Sequence, residues 1–480
     1  MATEDLRGKA KRGFIWNTVE RIVSNGIQFI LTVILARLLS PNDYGIIAMP
    51  AIFLAIAQVL IDSGFANALI RKPDLNEKDL STAFYFNAIV GVVAYLLLFA
   101  TSPLIASFFN TPILSKLLKF SAFVVFLNSL GIVQQALLTK RMDFKSQAGI
   151  SAISTFTSGA IGVWMAYSGY GVWALVFQQV SAALFRVALL WIYGKWYPIW
   201  VWSQESFHYL WNFGSKVVII GILDSIYNNV YAFIIGKMYN AKDLGNYTRA
   251  QQFAELPANN LSGIVQRVTF PLLSEIQNDD VRLSSIFLRL FEVTSLIIFP
   301  LMFFLTAIAN PFIIALLGKE WQGCVLMFQI LCITRMWVPL NSINLNLLQV
   351  KGRTDLLLKV EIAKKIMIAL IICLTITHGV TTLLLGFATC GVFAFAINTH
   401  YTKKIIGMGY YQQLKVLFPA IIVSIAILVV ILAMNQLIDN IYAQLVVDLL
   451  LCVLIYFGYM YLFKKNILKE ALSLVRKKTL

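Results

Sequence analysis

The sequence predicts an all-α integral membrane protein of about fourteen transmembrane helices, in two six-helix lobes that repeat in parallel, with two additional C-terminal helices. Three observations carry this. Apolar runs recur along the whole chain, Lys and Arg collect in alternate loops, and short motifs return at an offset of about 200 residues.

Hydrophobic residues fill 59% of the 480 positions and charged residues 13%. A soluble domain carries about 25% charged and about 45–50% apolar residues, so the bilayer is the main solvent here. Spanning helices need about 20 apolar residues. That rule places them at 14–39, 44–66, 82–102, 114–138, 148–168, 171–193, 213–238, 244–270, 285–308, 321–349, 356–377, 380–400, 412–434 and 441–463. Helix 244–270 is polar, 321–349 is expected to begin with a kink, and Pro50 and Pro257 permit bending. The basic start (Arg7, Lys9, Lys11, Arg12) resembles a signal peptide. The following apolar stretch is too long for one, contains Glu20 and Arg21, and lacks a small-residue cleavage site, so a retained first helix is expected.

The net charge of +16 fits membrane topology better than nucleic acid, because the cations sit in short loops. With an even helix count, loops on the side of the termini hold 24 Lys and Arg, and the opposite loops hold 4. One wrongly counted helix would scramble this alternation, so multi-pass insertion with both termini cytoplasmic is expected.

The repeat is legible directly. ILARLLSPNDYG at 34–45 answers IIGKMYNAKDLG at 234–245. Ser63-Gly64 answers Ser262-Gly263, Lys140 and Asp143 answer Lys351 and Asp355, and Gly171-Val172 answers Gly379-Val380. The expected organisation is an N-terminal lobe at 1–193, an aromatic interfacial linker at 194–211, a second lobe at 212–400, and two further helices with a basic cytoplasmic tail at 401–480. The linker is crowded with Trp196, Tyr197, Trp200, Trp202, Tyr209 and Trp211, as in an aromatic belt. Arg37 and Lys237 lie one turn before their Asp-Gly turns and are expected to snorkel to the outer interface.

Charges inside spans cost roughly 2.5–3.5 kcal/mol each on insertion scales and usually face a polar interior. Arg21, Lys216, Arg249 and Arg267 form an expected cationic cavity, with Arg186 and Arg335 deep enough to join it. Arginine matches phosphate oxygens in a bidentate manner, so an anionic head group is the expected ligand. Glu20, Asp62, Asp224 and Glu255 are expected either to pair with these cations or to bind a coupling proton or sodium ion. Internal salt bridges are the alternative for each of these residues.

Five cysteines without a CxxC and three scattered histidines predict neither a disulfide framework nor a metal site. No P-loop, no GxSxG and no long outer loop is present, so an enzyme is not expected, and no resident cofactor is.

The segments ILARLLSPNDYGIIAM, DSGFANALIRKPDLNEKDLSTAFYFN, LTKRMDFKSQ and GYGVWALVFQQ resemble the Wzx-type flippases of the multidrug/oligosaccharidyl-lipid/polysaccharide superfamily, in particular their colanic-acid and teichuronic-acid branch. The resemblance covers nearly the whole chain and is strongest over residues 10–200. It implies export of an undecaprenyl-diphosphate-linked oligosaccharide across a bacterial inner membrane by alternating access, for surface polysaccharide biosynthesis. It also implies membrane lipids, polymerases and glycosyltransferases as partners, and no nucleic acid. An ion-coupled exporter of organic cations is the alternative.

Overall fold

The computed structural model describes residues 26–62 and 64–465. The N-terminal part of the first expected helix, the N-terminal basic tail, the C-terminal tail beyond residue 465, and Glu20 and Arg21 lie outside the described residues. Every regular element among the described residues is helical. The first ten are α1 (Gly26–Leu38), α2 (Pro41–Ala48), α3 (Ala51–Asp62), α4 (Phe65–Arg71), α5 (Glu77–Phe108), α6 (Ile113–Ser129), α7 (Ile132–Lys140), α8 (Phe144–Tyr167), α9 (Trp173–Gly194) and α10 (Gln204–Met238). They are followed by α11 (Ala241–Glu275), α12 (Asp280–Ala307), α13 (Ala309–Leu317), a 3₁₀ turn (Lys319–Trp321), α14 (Gln322–Arg335), α15 (Val338–Val350), α16 (Thr354–Thr375), α17 (Val380–Ile406), α18 (Tyr410–Asn435) and α19 (Ile441–Phe463).

Ten helical stretches among the described residues are long and apolar enough to cross a bilayer, or twelve if each of two bent pairs counts as one. The bent pairs are α1–α2, at 118°, and α6–α7, at 42°. At 35 and 22 residues, α11 and α16 also have the length, but their charged and amide side chains keep them out of that count.

Several expected spans are interrupted. The stretch expected at 44–66 is three helices, broken at Met49–Pro50 and again near Gly64, whose φ of +67° lies in the left-handed region that glycine enters without a Cβ penalty. The stretch expected at 114–138 breaks at Leu130–Gly131, and 321–349 breaks at Met336–Trp337, just before Pro339. These last two breaks fall at the same place in each half of the element order. The aromatic segment divides in two. Residues 195–203 are non-helical, and 204–211 form the first turns of α10.

The chain forms two compact units, Met1–Gly245 and Asn246–Leu480. In the first, α5 packs along α6 and α8 along α9, while α4 is held between α7 and α10. Phe65, Leu69, Phe84, Val133, Leu137 and Leu210 form one buried cluster there. The non-helical 195–203 stretch is tied down on α5. Trp196 Nε1 donates to Glu77 at 2.7 Å, and the Ile199 and Ser203 amides donate to Ser81 Oγ and Thr82 Oγ1 at 3.1 and 3.0 Å.

The two repeated turns meet within this unit. Ser40 and Asp43 form a capping box at the start of α2. At the start of α11 the Asp243 amide donates to Asn240 Oδ1, and the Asn240 side-chain Nδ2 donates back to Asp243. Gly45 lies directly against the Ala241 carbonyl, and Gly245 lies against the Pro41 carbonyl. Lys237 donates to the Phe108 carbonyl, placing a cation on the C-terminal end of α5.

In the second unit, α12 packs along α18, α14 along α17, and α16 along α17. A buried polar seam joins α15 to its neighbours. Ser262 bonds Ser342 at 2.6 Å, Asn398 donates to Asn341 at 2.7 Å, and Thr402 donates to Asn344 at 2.7 Å. This pairing satisfies polar groups that the bilayer cannot.

The matched lysines perform the same task in each unit. Lys140, ending α7, donates to the Lys72 carbonyl in the loop that precedes α5. Lys351, just after α15, donates at 2.6 Å to the Gln277 carbonyl in the loop that precedes α12 and to Asp280, the first residue of α12. A charge-assisted bond contributes about 1.5–3 kcal/mol when enclosed, and partial exposure here reduces that to about 1 kcal/mol. Lys351→Met is expected to lower the unfolding midpoint in detergent by roughly 1–2 °C. An unchanged midpoint would show that the loop holds without this clamp.

Candidate functional site

The first unit contains a polar cavity of about 430 Å³ between α3, α6–α7 and α9. On α3, Gln58 and Asp62 stand one turn apart on one face, and Gln58 Nε2 donates to Asp62 Oδ1 at 3.1 Å. Asn128, at the end of α6, donates to Gln58 Oε1 at 2.9 Å. The relay therefore runs from Asn128 through Gln58 to Asp62, and it fixes the orientation of both amides. The bend at Leu130–Gly131 lets Gln135 of α7 line the same space, where Gln147 accepts its Nε2 at 2.8 Å.

Arg186 enters from α9 and lies within electrostatic reach of Asp62. Among the described residues no hydrogen bond or ion pair engages its guanidinium. The opposite wall is apolar, formed by Ala66, Ile132, Val187 and Leu190. The cavity thus holds one acid, one base and three amides facing a hydrocarbon wall.

The second unit has a different cluster. Arg335, at the end of α14, forms an ion pair with Glu255 of α11, and its guanidinium carbon lies 5.1 Å from the centroid of the Phe387 ring. Gln251 Nε2 donates to the same Glu255 oxygen at 2.8 Å. Both charged side chains are mostly buried, at 20% and 29% exposure.

The structure thus brings Asp62 together with Arg186, and Glu255 together with Arg335. Arg249 lies near Cys324 on α14, and the exposed Arg267 turns its Nε back to the Gly263 carbonyl at 3.0 Å. Lys216 and Asp224 are exposed on α10. Gln58, Asn128 and Gln135 were not singled out from the sequence. The available signal was their amide chemistry inside apolar helices, together with the four-residue spacing from Gln58 to Asp62, since buried amides need partners as charges do.

A family model described as "Polysaccharide biosynthesis protein" matches residues 34–326, more than half of the chain. The chain belongs to that family. The teichuronic acid biosynthesis protein TuaB of Bacillus subtilis (strain 168) is 27% identical over 349 residues, 72% of each chain. The lipopolysaccharide biosynthesis protein WzxC of Escherichia coli (strain K12) is 24% identical over 430 residues, 88% of this chain and 87% of its own. Among solved structures, the lipid II flippase MurJ in an inward closed conformation superposes with a TM-score of 0.75 at 15% identity, covering 95% of this chain and all of MurJ. That likeness shows a shared membrane-transporter fold.

Proposed function

We propose that this protein moves an oligosaccharide linked to undecaprenyl diphosphate from the cytoplasmic to the periplasmic leaflet of a bacterial inner membrane, by alternating access, for surface polysaccharide biosynthesis. The observation that carries this is the family match over 34–326, extended along the chain by relatives named for teichuronic acid and lipopolysaccharide biosynthesis. The fold shared with a lipid II flippase supports it.

Counting α11 and α16 as spans beside the twelve apolar ones gives fourteen, with both termini cytoplasmic as the loop cations require. Transport without a resident cofactor, driven by a proton or sodium gradient, is part of the proposal. Lys216, Arg249 and Arg267 are each proposed as a cation that can contact the diphosphate during transport. A polymerase and glycosyltransferases that make and consume the saccharide are the proposed partners. The relatives' names favour this reading over an exporter of organic cations.

Deleting the gene, in a strain where it is the sole flippase for its polysaccharide, is expected to abolish the surface polymer. Repeat units on undecaprenyl diphosphate should accumulate, as measured by mass spectrometry of lipid extracts. Unchanged polymer and unchanged lipid intermediates in that strain would refute the proposal.

A further inference from the structure

We infer that the cavity between α3, α6–α7 and α9 is a saccharide subsite, which takes an uncharged sugar ring of the transported substrate. The inference rests on the flippase reading above and deepens it. At about 430 Å³ the cavity falls within the size range of small-molecule sites, about 300–1,000 Å³. It is therefore too large for a bare ion.

The chemistry of its walls is two-sided. Asp62 Oδ1 already accepts from Gln58, and among the described residues no bond engages Oδ2, which is left to accept from a hydroxyl. Arg186 offers its guanidinium N–H groups from the other side, and Gln135 and Asn128 supply fixed amides. A pyranose ring matches such a lining, because it presents hydroxyls along its edge and C–H groups on its faces. The hydroxyls meet the carboxylate, guanidinium and amides, while the C–H face meets Ala66, Ile132, Val187 and Leu190.

Charge decides against the other ligands. One carboxylate and one guanidinium balance, so the cavity has no net attraction for a diphosphate, and Asp62 would repel it. A metal cation prefers several oxygen ligands, often more than one carboxylate, and here it would face Arg186. The relay from Asn128 to Gln58 to Asp62 holds the acceptor in place before any ligand arrives, which reduces the ordering cost of binding.

The test uses the full chain in cells that depend on it for a surface polysaccharide and are fed tritiated glucose, which enters the nucleotide-sugar pool. The photoreactive residue p-benzoylphenylalanine is placed at Ala66 or at Val187, both lining the cavity, and at Phe156 on an exposed face of α8 as control. Irradiation is expected to attach a saccharide, read as tritiated sugar released by acid hydrolysis of the purified protein, to the first two proteins and not to the third. The double variant Asp62→Asn/Arg186→Gln is expected to reduce export about ten-fold or more, with lipid-linked saccharide accumulating, because two charge-assisted bonds are lost. Adding it to the Ala66 or Val187 protein should reduce labelling in proportion. Absence of label at both positions, in proteins present at parental membrane levels, would overturn the subsite. Normal export by the double variant at parental membrane levels would also overturn it, and this arm stands even if both photoreactive proteins fail to fold. Normal export in the deletion strain would instead sink the flippase reading, so the two failures are distinguishable.

Discussion

Gly45→Ala is expected to lower the thermal unfolding midpoint of the purified protein by roughly 3–5 °C and to abolish export. A Cβ built on Gly45 would overlap the backbone carbonyl of Ala241. A flexible side chain could swing aside, but a carbonyl on the first turn of a helix cannot. Overpacking costs about 1–3 kcal/mol where neighbours relax, and backbone against backbone belongs at or above the upper end. Gly245→Ala should behave alike, because its Cβ would overlap the Pro41 carbonyl. Combining the two should cost less than the sum of the single changes, since one displacement of α2 from α11 relieves both clashes. The measurement is thermal unfolding in detergent, with export read in parallel. A midpoint within about 1 °C of the parent for Gly45→Ala, well below what about 3 kcal/mol predicts, would show that the helices are not in contact there.

That contact illustrates what the sequence could and could not reveal. The recurrence of Asp43-Tyr-Gly45 as Asp243-Leu-Gly245 was visible as a motif, while the capping roles of Ser40 and Asn240 came from the structure. Their meeting was not, because a motif specifies a local turn and says nothing of which turn lies opposite. The matched lysines follow the same logic. Lys140 and Lys351 were paired by position, while the carbonyls they clamp lie 68 and 74 residues away in the chain. Spans were legible because hydropathy over about 20 residues is a property of the segment alone. The break at Leu130–Gly131 was not, since a single glycine in an apolar run leaves the hydropathy unchanged. At the cavity, Asp62 and Arg186 announced themselves by the cost of charge in a membrane. Gln58, which orients Asp62, lies on the same helix, but Asn128, which fixes Gln58, comes from a helix 70 residues away and is defined only by packing.

The second large effect is expected at the ion pair of the second unit. Removing Glu255 by substitution with alanine leaves the Arg335 guanidinium mostly buried without its counter-charge. Breaking an enclosed pair costs about 3–5 kcal/mol, and the residual exposure of both side chains reduces this to about 2 kcal/mol. Phe387 compensates only in part, since a cation–π contact contributes about 0.5–1 kcal/mol at partly exposed sites. Arg335→Met should cost less, because Glu255 retains its bond from Gln251 and its own access to water. The double variant Glu255→Gln/Arg335→Met should come close to the parent, since replacing both partners of a buried pair by groups of similar volume is often neutral. A double-mutant cycle on unfolding midpoints, with export measured in the same strains, separates the two roles open to Arg335. If the pair is structural, export follows stability and returns in the double variant. A double variant that regains stability yet exports nothing would show that the Glu255–Arg335 pair takes part in transport itself.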